Sequence, residues 1–250
     1  MNKISTFKHC AEADFTVILT INIFFVWSQP MRIRKKKNLD SRLFNTKQYF
    51  ISDPFSTKGC YKSEIFGNRP ISLEIGCGKG SFLSRAADTF KENSFVGLDK
   101  VPEALVIAAE RASALDLTNI KFISGDANLL LSMFAPGEID VIYLNFPDPW
   151  PKARHYKRRL TYGEYLKKYL YILAEHGQFF FKTDSSALFE FSLNEIKGSG
   201  FELLRVTDDL YPFGPDGTLM TDYEKKFVES GNKINMLHAK KNELKTVRSF

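Results

Sequence analysis

Cysteine is scarce. The 250-residue chain has three, Cys10, Cys60 and Cys77, scattered with no CxxC pair and no Cys/His ligand spacing. That pattern excludes a disulfide scaffold and a structural zinc site, and it suits a reducing, cytoplasmic compartment. No residue pattern asks for a metal. Glycine (15) and proline (10) are too few for a collagen-like or linker chain. No apolar run reaches the ~20 residues that a membrane span needs. The longest, residues 15–27 (FTVILTINIFFVW), falls short, and it is followed by Ser-Gln-Pro-Met rather than by the small-residue cleavage site of a signal peptide. Three readings of it stay open: an extension outside the working domain with a natural start at Met31, a core strand or helix, or a weak anchor. None makes a membrane necessary to the function.

What is present describes an ordinary folded domain. The chain is 44% hydrophobic, 14% aromatic and 26% charged. Its length suits one large domain, or one domain with appendages, and its aromatic content excludes disorder throughout. Lys and Arg number 35 against 29 Asp and Glu, a formal charge of +6. The excess permits a polyanionic partner, and its clustering says more than its sum. One cluster is Arg32, Arg34, Lys35, Lys36 and Lys37. The other is Lys152, Arg154, Lys157, Arg158 and Arg159. Solvated faces are the plain alternative for both.

Strand and helix signals alternate from residue 71 onward. Strands are expected at 71–75, 94–98, 120–124, 139–146, 178–182 and 201–206, with a last one beginning at 226–228. Helices are expected at 81–90, 103–115 (Pro102 suits a helix start), 162–173 and 186–196, the last closed by Gly198. This alternation means βαβ units, an α/β fold and a mainly parallel sheet. Such sheets bind ligands beyond the carboxyl ends of their strands.

The first strand runs into Glu74-Ile75-Gly76-Cys77-Gly78-Lys79-Gly80. Alternate glycines let the chain turn sharply and let a ligand approach the backbone closely. A dinucleotide fingerprint, G-x-G-x-x-G, would need a glycine where Ser81 stands. The G-x-G-x-G spacing behind an acid resembles motif I of S-adenosylmethionine-dependent methyltransferases. The second strand ends at Asp99, where a carboxylate can accept from both ribose hydroxyls of a nucleoside. The third ends at Asp126, placed to reach an adenine amine or to cap a helix. The fourth ends in NFPDPWPK, residues 145–152. Pro147, Pro149 and Pro151 forbid helix there and hold Asp148 stiffly. Trp150 offers a stacking surface. Lys152, Arg154, His155, Lys157, Arg158 and Arg159 follow at once, a pattern suited to phosphates while one base enters a pocket. The fifth strand ends in Lys182-Thr183-Asp184, and Thr221-Asp222-Tyr223-Glu224 comes late in the chain.

Together, LEIGCGKG, GLD, GDA, NFPDPWPKARHYKRRL, FKTD and TDYEKKF resemble the bacterial tRNA (guanine-N7-)-methyltransferase family, over nearly all of the chain from Met31. The resemblance implies a Rossmann-like class I methyltransferase fold, a mainly parallel seven-stranded sheet with helices on both faces. It divides the chain into an extension (1–30), a basic arm (31–68) and a methyltransferase domain (69–250). It implies S-adenosylmethionine as donor and tRNA as partner, with Glu74, Gly76, Gly78, Gly80, Asp99, Asp126 and Asp148 around the donor and Asp148 as catalytic residue. Lys152, Arg154, His155, Arg158, Arg159, Asp184, Thr221, Asp222, Tyr223 and Glu224 would meet the substrate. Three positions depart from the family pattern: Asp99 for a usual Glu, Ala153 for a common Lys, and TDYE for TEYE. The implied target is the variable-loop guanine at tRNA position 46. Monomer and homodimer both stay open. Two rivals remain at this point: an NAD-dependent oxidoreductase, and an RNA-binding module that has kept the fold but lost the donor.

Overall fold

The structure, a computed structural model, describes residues 38–212 and 219–242. The apolar run at 15–27, Met31 and the basic cluster at 32–37 lie outside the described residues. So do residues 213–218 and 243–250.

Seven strands form one sheet: β1 (Ile71–Ile75), β2 (Ser94–Asp99), β3 (Ile120–Ser124), β4 (Ile139–Asn145), β5 (Leu173–Thr183), β6 (Phe201–Thr207) and β7 (Asn235–Lys241). Their spatial order is β3-β2-β1-β4-β5-β7-β6. The pairs from β3 through to β5 are parallel, and β7 runs antiparallel to both of its neighbours. The helices are α1 (Leu39–Asn45), α2 (Ser81–Thr89), α3 (Pro102–Ala114), α4 (Leu130–Met133), α5 (Gly163–Ile172), α6 (Ser186–Lys197) and α7 (Asp222–Glu229). Among the described residues no helix is long and apolar enough to cross a membrane.

The local sequence accounts for most boundaries. β1 lies between β2 and β4 with every residue buried, Ile71, Leu73 and Ile75 alternating with the polar Ser72 and Glu74. Pro102 occupies the first turn of α3, where its fixed φ fits and its missing N–H costs nothing. The Ser185 hydroxyl caps α6 by accepting from the Leu188 amide, and Gly198 closes it. One apolar cluster joins α4, α5 and α6 to β4 and β5 through Leu130, Tyr169, Ile196, Ile142 and Phe179. A second joins α2 and α3 to β2 and β3 through Leu83, Ala108, Phe95 and Phe122. These are the two faces of the sheet.

One expected element is wrong. Residues 226–228 do not begin the last strand; they belong to α7, and β7 starts at Asn235. Lys-Phe-Val has local strand character, but a capping box at Thr221–Glu224, just upstream, nucleates a helix through it. Thr221 Oγ1 accepts from the Glu224 amide, while Glu224 Oε2 accepts from the Thr221 amide. β5 is also longer than expected. Its first residue, Leu173, pairs with Ile139, and a bulge shifts the register before Val141 meets Gln178.

Gly80 joins the loop after β1 to this scaffold. It caps α2 at φ +67°, and a Cβ there would lie 2.6 Å from Ala108 Cβ and 3.2 Å from Ala108 Cα on α3. Gly78 shares a left-handed φ (+53°), but nothing lies within 4 Å of its missing Cβ. Gly80→Ala is therefore expected to lower unfolding free energy by about 2–4 kcal/mol, overpacking adding to left-handed strain. Gly78→Ala should lose only about 1–2 kcal/mol, from the strain alone. Urea denaturation of both variants checks the order; equal losses would mean that α2 and α3 part freely at Ala108.

Candidate active site

The carboxyl ends of β1 and β4 and the starts of α2 and α7 face one pocket. Glu74, Gly76, Cys77, Ser81, Phe82, Asn145, Phe146, Thr221 and Tyr223 line it. At its floor Asn145 Nδ2 donates to Glu74 Oε1 at 2.8 Å, joining β4 to β1. Glu74 is 3% exposed and Asn145 8%. Their remaining side-chain oxygens, Glu74 Oε2 and Asn145 Oδ1, are buried without a partner. Burial pushes the Glu74 carboxyl up to about 8; the Asn145 hydrogen bond opposes that shift and the Asp99 carboxylate adds to it. Two unpartnered oxygens at the floor of a pocket are an incomplete hydrogen-bonding set that a ligand would complete, and positive charge on that ligand would favour the ionised Glu74 carboxylate as acceptor.

The glycine loop rises beside them. Gly76 and Gly78 take positive φ with open space where a side chain would stand. Asp99 at the end of β2 holds this loop: its Oδ2 accepts from the Gly78 amide at 2.9 Å, and its Oδ1 from the Val101 amide at 2.8 Å. Each oxygen keeps a second lone pair. Asp126 is exposed, and its Oδ1 accepts from the Asn128 amide, capping the short turn after β3. Of the two roles open to it in the sequence, the cap is the one the geometry displays.

The segment at 221–224 divides into outward and inward residues. Tyr223 is 49% exposed, stands edge-on to Phe146, and donates its hydroxyl to Asp184 Oδ2 at 2.7 Å. Partial burial and the Asp184 carboxylate push its phenol up to about 12. Glu224 is 0% exposed. Its Oε1 accepts from Lys182 Nζ and from the Tyr211 hydroxyl, each at 2.8 Å. A carboxylate so enclosed, bound on one oxygen by two donors, supports the wall of the pocket from within. Asp222 is likewise engaged, paired with Arg85 Nη2 at 3.2 Å and Arg111 Nη2 at 2.9 Å, which pins α7 to α2 and α3. Arg85 also donates to the Met220 carbonyl. Asn145, Phe146, Lys182, Arg85, Arg111 and Tyr211 thus belong to the site although the sequence reading assigned them nothing.

The proline-rich turn forms the rim. Two of its non-glycine residues, Phe146 (φ +51°) and Trp150 (φ +41°), adopt left-handed backbone, at a cost of about 1–3 kcal/mol each that neighbouring contacts must offset. Asp148 lies between them, exposed, and receives no hydrogen bond or ion pair from the described residues. The basic run then winds into a 3-10 turn at Ala153–Arg158. Its cations differ in use. Lys152 and Arg154 are exposed. Arg158 lies over the Trp150 ring at 4.8 Å, and His155 meets that ring edge-on. Arg159 turns back to the Pro149 and Trp150 carbonyls. Among the described residues no group of three or more His, Cys, Asp or Glu is placed to hold a metal ion.

Comparison with known proteins agrees with this architecture. A family model described as "Putative methyltransferase" matches residues 68–237. A tRNA (guanine-N(7)-)-methyltransferase of Streptococcus suis is 44% identical over 84% of this chain and 99% of its own length. The enzyme of the same name from Streptococcus uberis is 41% identical over the same shares. Among solved structures, 16S rRNA methyltransferase KamB superposes with a TM-score of 0.57 at 14% identity, covering 74% of this chain and 94% of its own. An antibiotic-related methyltransferase gives 0.55 at 21%, covering 72% and 92%. The two structures carry the fold alone; the family match and the close relatives carry more, and by them the chain belongs to the tRNA (guanine-N7-)-methyltransferase family.

Proposed function

We propose that the protein transfers a methyl group from S-adenosylmethionine to N7 of an exposed guanine in tRNA, the variable-loop guanine at position 46, in the cytoplasm. The observation that carries this reading is the pair of buried, unpartnered oxygens on Glu74 and Asn145 beneath an open glycine loop, with the Asp148 carboxylate, exposed and without a partner among the described residues, on the rim. The pocket floor suits a cationic donor bearing N–H and O–H groups. Glu74 and Asn145 would take its donors, Gly76 and Gly78 would let it lie against the backbone, and Asp99 and Asp126 would use their spare lone pairs on its ribose and adenine.

When bound, S-adenosylmethionine supplies an electrophilic methyl on sulfonium; the N7 lone pair forms the new C–N bond as the C–S bond breaks. N7 of neutral guanine already bears that lone pair, so no base must remove a proton first. The work left for the protein is alignment and charge management. Asp148 accepts from the guanine N1–H and N2–H₂ edge and stabilises positive charge as it reaches the ring. Tyr223 and Phe146 border the space the base would enter, and Asp184 holds the Tyr223 hydroxyl. Lys152 and Arg154 face outward to phosphates. The major-groove edge that bears N7 is closed off in A-form RNA, which favours a guanine outside regular helix.

Labelled methyl transfer to unmodified tRNA, followed by nucleoside analysis, tests the reading; label in 7-methylguanosine is expected, and label in any other nucleoside overturns it. Asp148→Ala should lower the saturated rate about 10²–10³-fold, and Asp148→Asn less, because its amide oxygen still accepts. An undiminished rate in Asp148→Ala removes Asp148 from the chemistry. Affinity for tRNA should fall with salt at a log–log slope of about −0.7 to −0.9 per phosphate held. Lys152→Ala and Arg154→Ala should each flatten that slope by up to one such step, and slopes equal to wild type would dismiss these side chains as phosphate ligands.

Glu74 predicts a pH effect on the ligand-free enzyme. Its carboxyl is raised from 4.5 to about 8, so between those values the folded state holds a proton that the unfolded state has released. Stability from this group is full below the lower value and declines as pH rises to the upper one. Thermal midpoints of wild type and Glu74→Gln, measured across that window without donor, should show a decline in wild type that the variant lacks. Parallel curves would contradict the assignment.

A further inference from the structure

We propose that Arg159 is a positioning residue for Asp148, holding the proline-rich turn in shape, and not a phosphate ligand. This deepens the methyl-transfer reading and rests on it. In sequence Arg159 is one cation in a basic run, indistinguishable from Arg154. In the structure its guanidinium points inward along the turn. Nε donates to the Pro149 carbonyl at 3.2 Å and Nη2 to the Trp150 carbonyl at 3.1 Å. Its other contact is the face of the Phe191 ring on α6, 4.4 Å from the guanidinium carbon.

The turn needs such a tether. Pro147, Pro149 and Pro151 remove three backbone donors. The Phe146 amide donates to the Lys182 carbonyl, and the His155 amide to the Lys152 carbonyl. Between these two points no backbone–backbone hydrogen bond among the described residues crosses the segment. Trp150 nevertheless sits at φ +41°, a conformation that survives only where neighbouring contacts enforce it. Two adjacent carbonyls bound by one planar fork supply that enforcement, and Asp148 immediately precedes the first of them. The Nε–Nη2 edge, one that would grip a phosphate with two bonds, is already occupied. Lysine carries the same charge but has no fork and does not stack in this way.

The test separates charge from geometry. Arg159→Lys keeps the charge; kcat for methyl transfer to tRNA is expected to fall about 10–100-fold, while KM for tRNA, donor affinity and the salt slope of tRNA binding stay as in wild type. Phe191→Leu, which removes the ring beneath the guanidinium and lies on α6, should shift kcat in the same direction by less. In an Asp148→Ala background, Arg159→Lys should cost almost nothing further, because the lost geometry no longer has a carboxylate to place. Wild-type kcat in Arg159→Lys overturns the proposal. So does an Arg159→Ala enzyme whose kcat holds while its salt slope flattens by about 0.7–0.9, and so does full additivity with Asp148→Ala. If Arg159→Ala does not fold, the lysine and Phe191 variants decide alone. A wild-type enzyme that moves no label to 7-methylguanosine is a different failure: it removes the underlying reading and this proposal with it.

Discussion

Everything at the pocket depends on β1 and β4 lying side by side. The strand order runs outward from β1 to β3 on one side and from β4 to β6 on the other, so the crevice between β1 and β4 is where successive connections part to opposite faces. The hydrogen bond from Asn145 to Glu74 spans that crevice. It uses the Asn145 amide nitrogen and one Glu74 oxygen, and leaves Glu74 Oε2 and Asn145 Oδ1 without a partner. A core would not tolerate such a gap without reason. Here the gap is what gives the sheet a polar, binding-ready floor under an otherwise apolar structure.

The walls are built by a different logic. Glu224, Lys182 and Tyr211 form a buried polar knot, and Asp222 is gripped by arginines from α2 and α3. These groups hold α7 against the domain and leave Thr221 and Tyr223 to line the pocket. The rim is held by Arg159 and by the Arg158–Trp150 stack. Floor, wall and rim are each fixed before any ligand arrives, so little ordering is left to be done at binding.

How much of this was legible in the sequence follows the range of the interactions. The strands from 71 to 145 were legible because short β-branched and aromatic runs end in glycine, aspartate or proline, all local signals. The glycine loop and Asp148 were legible for the same reason. Asn145 was not, because its role needs β4 beside β1, and its partner Glu74 lies 71 residues away. The burial of Glu224 was hidden too: its partner Lys182 lies on β5, 42 residues away, while TDYE reads as a polar surface turn. The misread strand at 226–228 is the reverse case. Local residue preference pointed to strand, and a capping box that was itself in plain view outweighed it. Arg159 and Arg154 look alike in sequence, and only the folded turn separates them.

The reversed direction of β7 has a consequence of its own. β6 ends and β7 begins on the same edge of the sheet, Thr207 pairing with Met236, and this is the edge where Asn145 and Thr183 also end. A parallel β7 would have to begin at the opposite edge, and the chain leading to it would spend its length crossing a face of the sheet. With β7 turned around, the connection has no face to cross. Its helix stays on the ligand side, free to be a pocket wall. One inverted strand thus converts what would have been structural packing material into a stretch of chain whose sequence can answer to the substrate.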